Sequence, residues 1–264
     1  MSAGDKGGTG RLAGILLSTA AVAAAFGAPN AVAQESEPAP TITVIGERGE
    51  SDLESPKATA PIADLPLTVT LIPAEVFEQQ GARNLTDVLN NTPGITFNAG
   101  ENGFATGLSN FSMRGFDTSA NIFVDGARDS GAYNRDAFNI EQVEVVKGPA
   151  GDNGRGGAGG YVNIVTRTPH ETASYGFNVS YGFDEYESDG RWRTTLDLNQ
   201  PLSPNVAARL NVLYEEGGVA GRAVAERNTF GFAPSIAFGL NTDTRIVLAA
   251  QYVEQNDLPD WGVP

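Results

Sequence analysis

From residue 173 onward, apolar and polar side chains alternate with a period of two, in five stretches of about ten residues. In the first, Tyr175, Phe177, Val179, Tyr181 and Phe183 share one face, and Ser174, Gly176, Asn178, Ser180 and Gly182 share the other. The second sets Trp192, Thr194, Leu196 and Leu198 against Arg191, Arg193, Thr195, Asp197 and Asn199. The third sets Val206, Ala208, Leu210, Val212 and Tyr214 against Asn205, Ala207, Arg209 and Asn211. The fourth sets Phe230, Phe232, Ile236 and Phe238 against Thr229, Gly231, Ser235 and Gly239; the fifth sets Ile246, Leu248, Ala250 and Tyr252 against Arg245, Ala249 and Gln251. Short connections ("PLSP", "NTD") alternate with longer charged ones ("DEYESDG", "EGGVAGRAVAER"). A transmembrane β-barrel wall has this rhythm, with apolar residues toward lipid, small or polar ones toward the lumen, and aromatics near the strand ends. A soluble antiparallel sheet with one wet face tolerates the same alternation.

Residues 61–169 predict a compact α+β domain. "LPLTVTLIP" (65–73) reads as a strand, Pro73 opens a helix over "PAEVFEQQ", and Gly81 closes it. Asn84 caps a second helix, "LTDVLNN", with Asp87 three residues on, and Pro93-Gly94 stops it. "ITF" (95–97), "FSMRGF" (111–116), "NIFVDG" (121–126), "VEVVKG" (143–148) and "YVNIVTRT" (161–168) read as short strands. Residues 34–60 are rich in Pro, Glu, Ser and Ala and predict a disordered arm, interrupted by the β-prone run Thr41–Ile45. Residues 1–33 read as a signal peptide. Lys6 and Arg11 precede the apolar run 12–28, and Ala31-Val32-Ala33 predicts cleavage before Gln34. A membrane anchor is the alternative, with a run of marginal length. No later apolar run approaches ~18 residues, so any further membrane contact falls to strands.

The formal net charge of −15 argues against nucleic acid, which needs a basic surface. The chain has no cysteine and a single histidine, His170. That leaves no thiolate nucleophile or multi-histidine metal site, and no nucleophile elbow is present. An enzyme would have to work with carboxylates alone. The one motif suggestive of cofactor chemistry is Gly154-Arg155-Gly156-Gly157-Ala158-Gly159, which matches G-x-G-x-x-G. A dinucleotide loop needs a helix after it, to offer free N–H groups to the pyrophosphate. Here "YVNIVTRT" follows, which is strand-like, so the glycines are expected to serve a close backbone passage.

The stretch "FSMRGFDTSANIFVDGARDSGAYNRDAFNIEQVEVVKGPAGDNGRGGAGGYVNIVTRTP" (111–169) resembles the plug domain of TonB-dependent outer-membrane receptors, most of all those for ferric siderophores, catecholate types included. "LPLTVTLIPAEVFEQQGARNLTDVLNNTPGITF" (65–97) resembles the start of that plug, and "TITVIGER" (41–48) resembles the TonB box. One departure is "KGPAGDNGRGG", with Asn153 where the family more often has an aromatic residue. The resemblance implies a plug at 61–169 and the first strands of an outer-membrane barrel at 170–264. It implies uptake of a ferric siderophore, with iron only as part of that ligand and no cofactor. TonB would add a strand to Thr41, Ile42, Thr43, Val44 and Ile45 and pull. With about seven residues between Gln34 and the box, no extra signalling domain is expected.

Outward plug loops are expected at 98–110 and 128–138, with Asn102, Phe104, Arg128, Tyr133 and Arg135 as candidate ligand contacts. Arginine suits an anionic complex through charge-assisted hydrogen bonds, and tyrosine through stacking. Pairing with lumen carboxylates is the competing role. The plug motif comprises Arg114, Gly115, Lys147, Gly148, Pro149, Gly156, Gly159, Gly160 and Asn163. Arg114 is expected in a strand and in an internal salt bridge, with Glu141 and Glu144 near Arg155 and Arg167 as further pairs of that kind. His170 reads as a linker residue. Five strands do not close a barrel, so the chain is expected to be an N-terminal fragment of a longer receptor or the product of a truncated gene. A heme, cobalamin or sugar receptor and a soluble periplasmic binding module remain open.

Overall fold

The computed structural model describes residues 53–54, 61–65, 67–97, 110–131, 133–149, 157–185 and 190–258. The expected signal peptide, the box at 41–48, the loop residues Asn102 and Phe104, and Gly156 lie outside these. Contacts divide the chain between Glu47 and Arg48, and every described residue belongs to the second unit.

The plug begins with β1 (Thr68–Pro73), α1 (Ala74–Gln79) and α2 (Leu85–Leu89). Pro73 enters α1 with its fixed φ of −73°, and the Asn84 side chain accepts from the Asp87 N–H at 3.0 Å to cap α2. Short strands follow: β2 (Ile95–Phe97), β3 (Phe111–Met113), β4 (Phe116–Asp117), β5 (Ile122–Val124) and β6 (Ala127–Arg128). The long pair β7 (Ile140–Lys147) and β8 (Gly160–Thr166) completes the domain. The main sheet runs β1-β7-β8-β5-β6, antiparallel except for β5 with β8; β2, β3 and β4 form a second small sheet. One core joins both helices to the sheets, through Phe77, Leu85, Leu89, Phe111, Met113, Val143 and Val145.

Two of the short connections are two-residue hairpins with both central residues at positive φ, the geometry that matches strand twist. Asp125-Gly126 (φ 47° and 76°) joins β5 to β6, and Arg114-Gly115 (φ 52° and 83°) joins β3 to β4. "FSMRGF" is therefore a turn flanked by two strands and not one strand. The glycine-rich loop leads directly into strand β8. A Cβ on Gly160 would lie 2.0 Å from the Val146 carbonyl oxygen, and one on Gly159 2.6 Å from that of Met113. These glycines let three backbones touch, as the strand-like sequence after them implied.

The wall follows: β9 (Ser174–Gly182), β10 (Arg191–Ser203), β11 (Val206–Gly218), β12 (Glu226–Phe238), β13 (Ile246–Ala249) and β14 (Tyr252–Gln255). Each pairs antiparallel with the one before it, except that β13 and β14 both pair with β12 in one continuous register. The expected fifth strand is thus one strand interrupted opposite Pro234. Ala250 N–H donates to the Pro234 carbonyl at 3.0 Å, but proline has no N–H to return the bond.

The two faces of this sheet are inverted relative to a soluble one. Tyr175, Phe177 and Phe183 are 66%, 70% and 77% exposed, whereas Arg193, Asn199, Arg209, Asn211 and Glu215 are buried. A water-facing sheet does the reverse, so the barrel-wall reading holds. Aromatics gather toward the long-loop end, with Tyr181 4.5 Å from Trp192 and Phe232 5.5 Å from Tyr252 between ring centres. Strands of 13 residues exceed the ~9–11 that a tilted crossing needs. Val212 lies mid-strand on the apolar face, opposite Leu196 and Phe232. Val212→Arg is expected to destabilise the membrane-inserted receptor by about 2–4 kcal/mol, read from its urea midpoint in lipid. A change under ~0.5 kcal/mol would mean that this face meets water.

Candidate functional site

The β5–β6 hairpin and the loop after it carry the described candidates for ligand contact. Asp129 organises the loop. The Tyr133 hydroxyl donates to Asp129 Oδ2 at 2.7 Å, Arg135 Nε donates to the same oxygen at 2.9 Å, and the Gly131 N–H donates to Oδ1 at 3.0 Å. Arg135 Nη2 also donates to the Gly131 carbonyl at 2.7 Å, and its guanidinium lies 4.4 Å from the Tyr133 ring centre. Burial opposes the charge on Asp129, but these donors outweigh it and hold its carboxyl below the usual range. Burial and the adjacent carboxylate push the Tyr133 phenol up to about 12. Arg135 is only 5% exposed and is held inside the loop by Asp129, and it contributes to the lining of the cavity beside the hairpin.

Arg128 differs. It is exposed on β6, its Nη1 donates to the Ala120 carbonyl (2.7 Å) and Asn121 Oδ1 (2.9 Å), and it sits 4.8 Å from the Phe123 ring centre. A cavity of about 580 Å³ lies between this hairpin and the wall, lined by Arg128, Tyr133, Asn139, Gln251 and Gln255 among others.

Plug and wall meet along a charged seam. At one knot Asp197 of β10 accepts from Arg209 of β11 in a two-bond fork (2.8 and 2.7 Å) and from Arg167 of the plug at 2.9 Å. Arg167 also pairs with Glu78 of α1, and Arg209 pairs with Glu141 at 3.4 Å. At the other knot Arg193 of β10 forks onto the plug carboxylate Asp136 at 2.8 Å twice and pairs with Glu215 at 2.5 Å. Arg83 of the plug joins Glu215 at 3.4 Å. Amides link the centre, where Asn211 Nδ2 donates to Asn139 Oδ1 at 3.1 Å and Asn139 Nδ2 donates to Gln251 Oε1 at 3.0 Å. The chain leaving the plug is stitched as well. Arg245 donates to the Pro169 carbonyl at 2.7 Å, and Asn199 accepts from the His170 N–H at 3.0 Å and donates to the Thr172 carbonyl at 2.7 Å. His170 lies in the connection between β8 and β9, as its linker reading expected, and is held there through its backbone.

One expected pairing is corrected. Arg114 is exposed at its hairpin turn, and among the described residues it makes no salt bridge; its Nη2 donates to Thr68 Oγ1 at 3.1 Å. The left-handed turn, which the strand expectation overlooked, aims the side chain away from the core. Glu144 is fully buried in the plug sheet, where Asn163 Nδ2 donates to it at 2.9 Å; its expected neighbour Arg155 lies outside the described residues. Glu141 does lie near Arg167, at 3.9 Å. Lys147 is buried with Thr70 Oγ1 3.3 Å away, and burial together with the Arg114 charge lowers its pKa. Gly148 adopts φ 119°, and Pro149 after it is exposed. The seam residues Arg193, Asp197 and Arg209 were placed toward the lumen by alternation, but nothing in the pattern paired them with the plug.

A sheet domain joined by a charged seam to a wall with apolar outer and polar inner faces is a specific arrangement, and comparison with known proteins gives it a family. Residues 61–161 match the TonB-dependent Receptor Plug Domain. These residues are the plug domain of a TonB-dependent receptor. The chain is 44% identical over 211 residues to the catecholate siderophore receptor Fiu of Escherichia coli K12, covering 79% of this chain and 27% of Fiu. It is 36% identical over 244 residues to the probable TonB-dependent siderophore receptor PiuA of Acinetobacter baumannii, covering 90% of this chain and 32% of PiuA. The closed-form crystal structure of Fiu superposes with a TM-score of 0.71 at 42% identity, over 81% of this chain and 29% of Fiu. The chain thus spans about a third or less of the length of these relatives.

Asp197 serves two arginines at once, so removing its charge leaves both without their shared partner. Asp197→Asn is expected to destabilise the plug–wall unit by roughly 1.5–3 kcal/mol, the range for hydrogen bonds to a charged group, since Glu78 and Glu141 still serve the two arginines. The exposed Asp243→Asn is the comparison, expected within ~0.5 kcal/mol. Thermal unfolding in detergent checks both.

Proposed function

We propose that this chain works as the plug and first wall strands of an outer-membrane receptor that imports a ferric siderophore of the catecholate class, energised by TonB. What carries the reading is the inverted wall bound to the plug by a charged seam, together with the similarity to Fiu and PiuA across both parts. The signal at 1–33 would export the chain, and Thr41–Ile45 would offer TonB a strand. The role is import and not catalysis.

The residues divide the work. Arg128 is presented outward beside the cavity and suits an anionic ferric complex. Asp129, Tyr133 and Arg135 fix the loop that holds this hairpin. The seam keeps the plug seated at rest. Its bonds are polar and solvent-replaceable, so a pull on the plug exchanges them for water without exposing a large apolar surface. β1 is the first sheet strand after the arm, and among the described residues it pairs with β7 alone, which makes it the first sheet strand to feel that pull.

The test is accumulation of radiolabelled iron from a ferric catecholate by iron-starved cells expressing the complete gene. Uptake is expected only with TonB and a proton gradient, and Arg128→Ala is expected to weaken ligand affinity by ~10-fold or more, the loss of charge-assisted hydrogen bonds. Uptake independent of TonB would sink the reading. Binding of heme, cobalamin or a sugar in place of the catecholate would move the chain to another receptor class.

A further inference from the structure

Glu144 is a fully buried carboxylate in the middle of β7, with no part in the seam. On its side of the sheet Val146, two residues on, clusters with Phe123 and Tyr161, and Gln142, two residues back, brings its Nε2 to 3.3 Å from the Glu144 Oε1. A carboxylate in such a place needs donors. Asn163 Nδ2 supplies one to Oε2 at 2.9 Å, and Asn163 is itself held by the Gly126 N–H, which donates to its Oδ1 at 3.0 Å. Oε1 accepts at 2.7 Å from the backbone N–H of Glu54, 90 residues away in sequence.

We propose that Glu144 anchors the root of the N-terminal arm, so that the arm leaves the plug at residue 54 and not at the start of β1. The contact uses the Glu54 backbone and not its side chain. That side chain is itself an exposed carboxylate and contributes only like charge. Between Glu54 and Thr68 lie 14 residue steps, which at 3.3–3.6 Å each hold about 46–50 Å of chain. While the anchor holds, that length is unavailable to whatever precedes Glu54. Once it opens, the arm reaches further, by up to that amount when the 3-10 turn at Ile62–Asp64 and the packing of Leu67 also give way, with no sheet strand lost. The anchor stands on these contacts alone; its use in bringing the arm to TonB rests on the receptor reading above.

The deciding variant is Glu54→Pro, which removes the N–H without touching the plug sheet; Glu54→Ala keeps the N–H and is its control. This chain has no cysteine, so Arg48→Cys and the exposed Leu202→Cys introduce a spin-label pair for distance measurement in the receptor expressed from its complete gene. Glu54→Pro is expected to broaden the distance distribution and extend its far edge by ~10 Å or more, part of the released chain length. Glu144→Ala is expected to do the same, and Glu54→Ala to leave the distribution unchanged. Coincident distributions for Glu54→Pro and Glu54→Ala would overturn the anchor. Iron uptake by the same cells reports on the receptor reading separately, because the distance is read without TonB.

Discussion

A sheet with one apolar and one charged face is stable in neither water nor lipid alone. The plug packed against the inner face removes the water that would otherwise solvate Arg193, Asp197, Arg209 and Glu215, and an unpaired charge in a poorly solvated place costs several kcal/mol. The rest of the structure follows from this. The wall requires something polar inside it, and the plug carries Asp136, Arg167, Arg83 and the Asn139 amide at the matching places. Each half supplies the charges that the other lacks.

Such a contact is specific without being hard to part. Replacing well-placed ion pairs by apolar residues often leaves stability unchanged or raises it, so the seam is not there to maximise stability. Its bonds exchange readily for bonds to water, which an interlocked apolar interface cannot do. The plug's own interior is different in kind. Leu85, Leu89, Phe111 and Met113 are fully buried in an apolar cluster, which resists partial opening. The molecule therefore separates where it is polar and stays whole where it is apolar.

The alternation in residues 174–252 was legible because a strand's period of two is enforced on every residue when lipid lies on one side and polar groups on the other. The helix limits at Pro73 and Asn84 were legible because each solves a local hydrogen-bonding problem. What stayed hidden depends on partners far along the chain. The Arg114 turn was missed because Arg-Gly is not among the favoured hairpin pairs; only the positive φ of both residues reveals it. The Tyr133–Asp129–Arg135 cluster stayed hidden because nothing local shows that Asp129, a few residues back, binds both side chains. The break at residues 250–251 traces to Pro234 on the neighbouring strand, where a single-strand pattern cannot register it.

The fork between Arg193 and Asp136, the pairing of Arg167 with Asp197 and the Asn139–Gln251 amide bond have a joint geometric meaning. The first two lie on one strand, β10, four residues apart, and the third lies three strands away, some ~14 Å across the sheet. One contact would let the plug swivel, and two would let it tilt about the line joining them. Three that are not collinear fix its bearing completely, so the plug fits this part of the wall in one orientation, as a key fits a lock.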